Sequence, residues 1–433
     1  MIYIIFSTLL KEHSYLASFN ENPMVKTHPD TYRWLKVALI NLLVTAAAGI
    51  ILRYKMNFPL AVVNQKYLLH GHSHFAFVGW VTLALMALLV HYLSRSGLAT
   101  NYARYRFLLI ANTVTAYGML FTFAAQGYAL FSITFSTLSI FVSYAFIFYF
   151  WRDLRKVKDL SNSHLWFRAA LILWALSSAG AFSLAFLMAM HIKIQEYYFS
   201  AIYFFLHFQY NGWFLFACFG LLFSHFTFDH PGLLKLSRKL FLILALTVVP
   251  AYFLSLLWLK LPAFLYWAGT LSGIIQLIAV VYLFPLFKLV KKNIVHSRSG
   301  LTRLLWCLAC CCFAIKVILQ AGSALPSLAN LAFGFRPVVI AYLHLCFLGI
   351  ISFFIIGYFD LLLPEAHKIS RPGAFLFISG VVIQEIILML QGFEMMGLQI
   401  IPRLNILLFA AAVIIGTGLA TIAVSLKSLK GSS

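Results

Sequence analysis

Leu68-Leu69-His70-Gly71-His72-Ser73-His74-Phe75-Ala76-Phe77-Val78-Gly79-Trp80, residues 68 to 80, opens an apolar run that continues to about residue 93. A run of this length matches the roughly 20 residues that an α-helix needs to cross a bilayer. Imidazoles in lipid are costly unless a metal coordinates them or a hydrogen bond satisfies them. The segment therefore predicts a membrane-spanning helix that carries a functional site near one end.

Composition extends this conclusion to the whole chain. Of the 433 residues, 63% are hydrophobic and only 10% are charged, which is typical of a polytopic membrane protein. Hydropathy predicts an all-α bundle of about twelve spans. Their approximate limits are 35–52, 68–93, 105–127, 129–151, 166–190, 198–224, 239–258, 262–287, 303–325, 337–363, 372–392 and 404–426.

These spans form a single predicted transmembrane domain over residues 35–426, between an N-terminal segment (1–34) and a short tail (427–433). Met1 to Leu10 is too short to span a membrane and lacks a basic n-region, so we expect no cleaved signal peptide. Met24 is a second candidate for the true start.

The basic residues orient the predicted bundle. The 32 Lys and Arg exceed the 11 Asp and Glu, but they lie in short loops between apolar runs, which argues against a nucleic-acid partner. With both termini in the cytoplasm, 24 of them lie on the cytoplasmic side and seven on the outer side, while Lys316 falls within a span. We therefore expect an N-in, C-in protein of the bacterial cytoplasmic membrane, surrounded by lipid.

Histidines occur on three spans that all run from outside to inside. At about 1.5 Å per residue, His72 and His74 lie about 6 to 9 Å below the outer end of span 2, His344 about 10 Å down span 10, and His207 about 14 Å down span 6. Taken singly, His207 and His344 are readily explained as packing residues, and at least one of the span-2 histidines as an interfacial side chain. Their common depth favours a haem or metal site inside the bundle. His70 shares a helix face with His74, whereas His72 points roughly the other way.

The run from His72 to Trp80 resembles the second-helix signature of NnrS-type proteins, a twelve-helix branch of the haem-copper oxidase superfamily. That signature reads His-x-His-x-x-x-x-Gly-aromatic. The superfamily places a low-spin haem ligand on the second helix, a copper ligand on the sixth and haem ligands on the tenth. The resemblance implies ligand roles for His72 or His74, for His207 and for His344.

This chain departs from the pattern of that family at several positions, and these departures narrow the set of cofactors that we expect. Tyr342 stands where the resemblance places a high-spin haem ligand, span 7 contains no histidine, and Asn211 stands where oxidases carry a Tyr. A complete oxygen-reducing binuclear centre is therefore not expected. Whether copper is present, and whether the protein is an oxidoreductase, stays open, and no catalytic residue is assigned.

The remaining residues suit one b-type haem held by a span-2 histidine and His344, with Arg336 pairing its propionates. Such a protein would act in respiratory electron transfer, with a donor protein or a quinol as partner, or in the response to nitric oxide. If His207 were an axial ligand instead, nitric oxide or oxygen could bind opposite it, and Tyr210, Asn211 and Trp213 would be hydrogen-bond partners.

Two ionisable residues lie within spans, Lys316 in span 9 and Glu385 in span 11. Residues of this kind are functional candidates, and we predict that the two pair with each other or deliver protons. The cysteines at 307, 310, 311 and 312 are expected to be packing residues rather than copper ligands. The alternative function is a twelve-helix secondary transporter, with a metal ion bound by His70, His72 and His74 as its candidate substrate.

Overall fold

The computed structural model describes residues 29–96, 101–158, 161–225, 231–294, 300–364, 368–395 and 403–426. These residues form helices and turns and contain no strand. In chain order the long helices are α1 (Pro29–Lys55), α2 (Gln65–Arg95), α3 (Tyr102–Gln126), α4 (Leu130–Leu154), α5 (Ser163–Ala189), α6 (195–225), α7 (Pro231–Val248), α8 (Ala263–Ile294), α9 (Gly300–Gly322), α10 (Arg336–Leu362), α11 (Arg371–Met395) and α12 (Leu404–Ser425). Short helices at Pro250–Leu256 and Pro326–Gly334 follow α7 and α9.

The predicted all-helical membrane bundle is confirmed, but the span count is confirmed only in part. Ten of the described helices are long and apolar enough to cross a membrane, or eleven if α7 and the bent segment after it form one span. Helix α6 occupies the position of predicted span 6, but it is not among the ten. The total of twelve spans therefore stays a prediction.

Helix α7 ends at a proline. Pro250 has no N–H to donate, and the chain continues as a 3₁₀ helix over Pro250–Leu256 that is bent by 49° from α7. The break frees backbone carbonyls at the end of α7, and these need other donors because they lie inside the protein. One of them is the carbonyl of Val248.

Three helices each contain a π-helical segment that follows a histidine. Ala76–Thr82 in α2, Phe208–Phe214 in α6 and Leu345–Ser352 in α10 are π-helical, and they begin just after His74, His207 and His344. π-helical turns are rare and are often found at functional sites.

The three π-helical segments meet at the centre of the bundle. The rings of Phe77, Phe214 and Phe347 pack against one another in pairs, with centroids 4.4 to 5.8 Å apart. Trp80 of α2 also donates a buried hydrogen bond of 2.9 Å to Ser352 of α10. These contacts fix the relative depth of α2, α6 and α10, and with it the depth of their histidines.

Candidate haem-binding site

A cavity of about 240 Å³ lies among five helices in the half of the bundle that is predicted to face outward. Its lining includes Thr45 of α1, His72 of α2, His344 of α10, Gln384 of α11 and Ala412 of α12. The helices α1 and α12 are distant in sequence and pack extensively on each other, which closes the bundle around this space. Most of the wall is apolar or aromatic, so a ligand here would be largely shielded from water.

His72 is oriented by a backbone hydrogen bond. Its Nδ1 lies 3.0 Å from the carbonyl oxygen of Thr45, an interaction that requires the proton on Nδ1. The other ring nitrogen, Nε2, has no hydrogen bond within the described residues. This is the arrangement of a histidine prepared to bind a metal through Nε2. Gly49 lies beside the ring, and a Cβ there would be in van der Waals contact with Cε1 of His72, at 3.4 Å.

His344 lines the same cavity from α10. Its Nδ1 is buried and lacks a hydrogen-bond partner, although the carbonyl of Ile340 lies close by. A buried polar atom without a partner is unusual in a folded protein and calls for an explanation. His344 also lies within electrostatic range of His72 and Arg53, which places three of the site's polar groups in one neighbourhood.

Two arginines line the cavity as well. Arg53 at the end of α1 and Arg336 at the start of α10 repel each other electrostatically. Within the described part of the chain neither forms an ion pair, and the guanidinium of Arg53 donates a hydrogen bond to the sulfur of Met56, at 3.7 Å. Two cations at the edge of an apolar cavity are suited to an anionic ligand.

These residues fit a haem. Two imidazoles reach one cavity from facing helices, Phe77, Trp80 and Phe347 provide apolar walls, and the two arginines suit a pair of propionates. The sequence indicated His72, His344 and Arg336. It gave no reason to select Arg53, although this residue stands at the predicted outer end of span 1.

His70 and His74 point away from this cavity. The ring of His74 stacks on Phe123 at 4.4 Å, and its Nε2 lies 3.4 Å from the hydroxyl of Tyr128. The ring of His70 packs edge-on against Tyr128 at 4.8 Å. The predicted division of the three histidines between two faces is thus observed. Across the described ranges no group of three or more His, Cys, Asp or Glu could hold a metal ion.

His207 is engaged in structural hydrogen bonds. Its Nε2 lies 2.7 Å from the carbonyl of Val248, which the break at Pro250 leaves free, and its Nδ1 lies 3.1 Å from Nδ2 of Asn211. His207 is 1% exposed and is not part of the cavity lining. Trp213 stacks on Trp174 at 4.2 Å. These contacts support packing roles for His207, Asn211 and Trp213.

The predicted pair of Lys316 and Glu385 is wrong. Lys316 is buried and donates instead to Gln320, one turn later in α9, while Oε1 of Glu385 has no hydrogen-bond partner. The reason is local, since a side chain four residues away on the same helix is within reach without any fit between helices. Tyr342 also donates to Gln320, at 3.4 Å, and its ring packs against Tyr210.

Comparison of the chain with protein-family models gives no match. Comparison with curated proteins gives no match either.

Proposed function

We propose that this membrane protein binds one b-type haem between His72 and His344 and acts in respiratory electron transfer or in the response to nitric oxide. The observation that carries the proposal is the convergence of two imidazoles and two arginines without acidic partners on one apolar cavity. The wider proposal is a twelve-span bundle of haem-copper oxidase type in the bacterial cytoplasmic membrane.

The residues favour electron transfer over gas binding. A haem supplies one-electron chemistry, and with two imidazole ligands it has no vacant position for a gas. The hydrogen bond from His72 to Thr45 holds that ring in one orientation, and the phenylalanine and tryptophan walls exclude water. Arg53 and Arg336 would balance the charges of the propionates. The donor would be a protein or a quinol.

Optical spectroscopy tests the proposal directly. The protein is purified in detergent after expression with sufficient haem, and oxidised and dithionite-reduced spectra are recorded with and without carbon monoxide. We expect a six-coordinate b-type spectrum that carbon monoxide leaves unchanged. A spectrum shifted by carbon monoxide would indicate an open coordination position, and a protein without haem would refute the proposal.

Single variants identify the ligands. His72→Ala and His344→Ala should each lose most of the bound haem. The matched control is His74→Ala, because His74 lies two residues from His72 but contacts Phe123 and Tyr128 instead of the cavity. Equal haem loss in all three variants would show that the loss reflects folding and not ligation.

A further inference from the structure

A second cavity, of about 330 Å³, lies among α6, α8, α9 and α10 in the half of the bundle that is predicted to face the cytoplasm. Its walls are made mostly of leucine, phenylalanine and cysteine side chains, among them Leu222, Phe313 and Cys310. Its volume exceeds the 240 Å³ of the cavity beside His72. Apart from Arg303 and the indole of Trp306, the described wall consists of hydrocarbon and thiol groups, which suit an apolar chain.

Among the described residues, one charged side chain lines this cavity. Arg303 stands in the first turn of α9, and its Nε is buried without a hydrogen-bond partner; no ion pair or hydrogen bond of its guanidinium occurs within the described ranges. A cation in the first turn of a helix is also disfavoured by the helix dipole. Gly300, one turn earlier, lines the same end, and no atom of the described residues lies within 4 Å of a Cβ placed there. An anion at this end would satisfy Arg303 and complement the helix terminus.

The polar groups of the lining indicate what kind of polar group a ligand of this cavity would carry. The cavity offers a guanidinium donor, and the described residues of its lining include no carboxylate and no imidazole. The indole N–H of Trp306 is already donated to the carbonyl of Phe354, at 3.1 Å. A quinol needs acceptors for its two hydroxyl protons, and this lining does not supply them. A phosphate group carries acceptors alone and matches what Arg303 provides.

We infer that this cavity is a binding site for an anionic phospholipid, with one acyl chain in the apolar space and the phosphate on Arg303. The site is separate from the candidate haem site, since the two cavities share no lining residue. The bound lipid would fill the space between α6, α8 and α9.

Native mass spectrometry of the delipidated full chain in detergent tests the inference, with dioleoyl phosphatidylglycerol as the probe. We expect one tightly bound lipid in the wild type. Arg303→Gln should weaken this binding about tenfold or more, because it removes a charge-assisted contact. Ala309→Phe, which places a ring in the cavity, should also remove the bound lipid. Inorganic phosphate at the same concentration should not compete, because it has no chain to bury.

Arg106→Gln is the matched control, because Arg106 is an exposed arginine in the first turns of α3, on the same predicted side, and does not line the cavity. It should bind the lipid like the wild type. Equal binding by the wild type and Arg303→Gln would overturn the inference, as would preferential binding of a quinone. If Ala309→Phe fails to fold, the Arg303→Gln result decides alone. Haem content reports on the other cavity and should stay unchanged in Arg303→Gln.

Discussion

At the scale of single residues, three neighbouring histidines have different surroundings. His70 and His74 lie one helical turn apart and pack on Tyr128 and Phe123, whereas His72 faces the cavity and Thr45. The division follows from the 3.6-residue helical repeat, which places residues i and i+4 on one face and i+2 on the opposite one. The candidate ligand on α2 is therefore selected by helix geometry.

Gly49→Leu tests whether the space next to His72 matters. A Cβ at Gly49 would be in van der Waals contact with Cε1 of His72, at 3.4 Å, so the further atoms of a leucine side chain would compete with the imidazole and a ligand for the cavity. We expect Gly49→Leu to lower the haem-to-protein ratio at least severalfold, measured by the pyridine haemochrome method. Gly49→Ala is the graded control and should keep most of the haem. Full haem content in Gly49→Leu would contradict a ligand role for His72.

His207→Ala separates a structural role from ligation. The substitution removes both hydrogen bonds of His207 and leaves the carbonyl of Val248 unsatisfied in the interior. We expect a loss of about 2 to 4 kcal/mol in the free energy of unfolding, seen as a lower thermal midpoint in detergent. The haem content of the folded fraction should not change. Selective loss of haem at unchanged stability would identify His207 as a ligand instead.

At the scale of elements, the recurring feature is a histidine followed by a π-helical segment on α2, α6 and α10. The sequence carries a matching pattern, in which an aromatic residue follows the histidine by three positions and a glycine by five, as in His207, Tyr210 and Gly212. The same spacing recurs from His74 and from His344. This repeat could have been found by comparing the three segments, and it marks the helices that meet at the central phenylalanines.

Close helix contacts depend on small residues. A Cβ at Gly180 of α5 would lie 2.5 Å from the carbonyl of Ala201 and 2.6 Å from the amide of Phe205, both on α6. Backbone atoms cannot move aside as a flexible side chain can, so Gly180→Val must separate the two helices. We expect a lower thermal midpoint and a poorer yield of monodisperse protein. Gly232→Ala, at a position where no described atom lies within 4 Å of a Cβ, is the control and should leave both unchanged.

At the scale of the whole molecule, the two ends of the bundle differ in charge. Arg53, Lys55, Lys66 and Arg336 lie at the end predicted to face outward, and most other basic residues lie at the opposite end. Positive charges remain on the cytoplasmic side during insertion, so the asymmetry predicts the orientation of both cavities.

Cysteine labelling in intact cells tests this orientation. Val62, between α1 and α2, is 90% exposed, so Val62→Cys should react with a membrane-impermeant maleimide added outside. Lys156→Cys, in the loop after α4, should react only after the membrane is made permeable. The unmodified chain, whose six cysteines lie in apolar segments, gives the background. The reverse pattern would invert the bundle and place the candidate haem site near the cytoplasm.

The sequence by itself determined the helical membrane class, the approximate limits of the helices and the short list of histidines, because hydropathy and helical periodicity are local properties of the chain. Only the tertiary structure decided which of these groups meet. It placed His72, His344, Arg53 and Arg336 in the lining of one cavity. It also showed that His207 contacts the carbonyl of Val248, near Pro250, and that Lys316 donates to Gln320 rather than to Glu385. Such pairings depend on how helices far apart in sequence rotate and pack, and hydropathy, which measures only the polarity of each segment, carries no information about rotation.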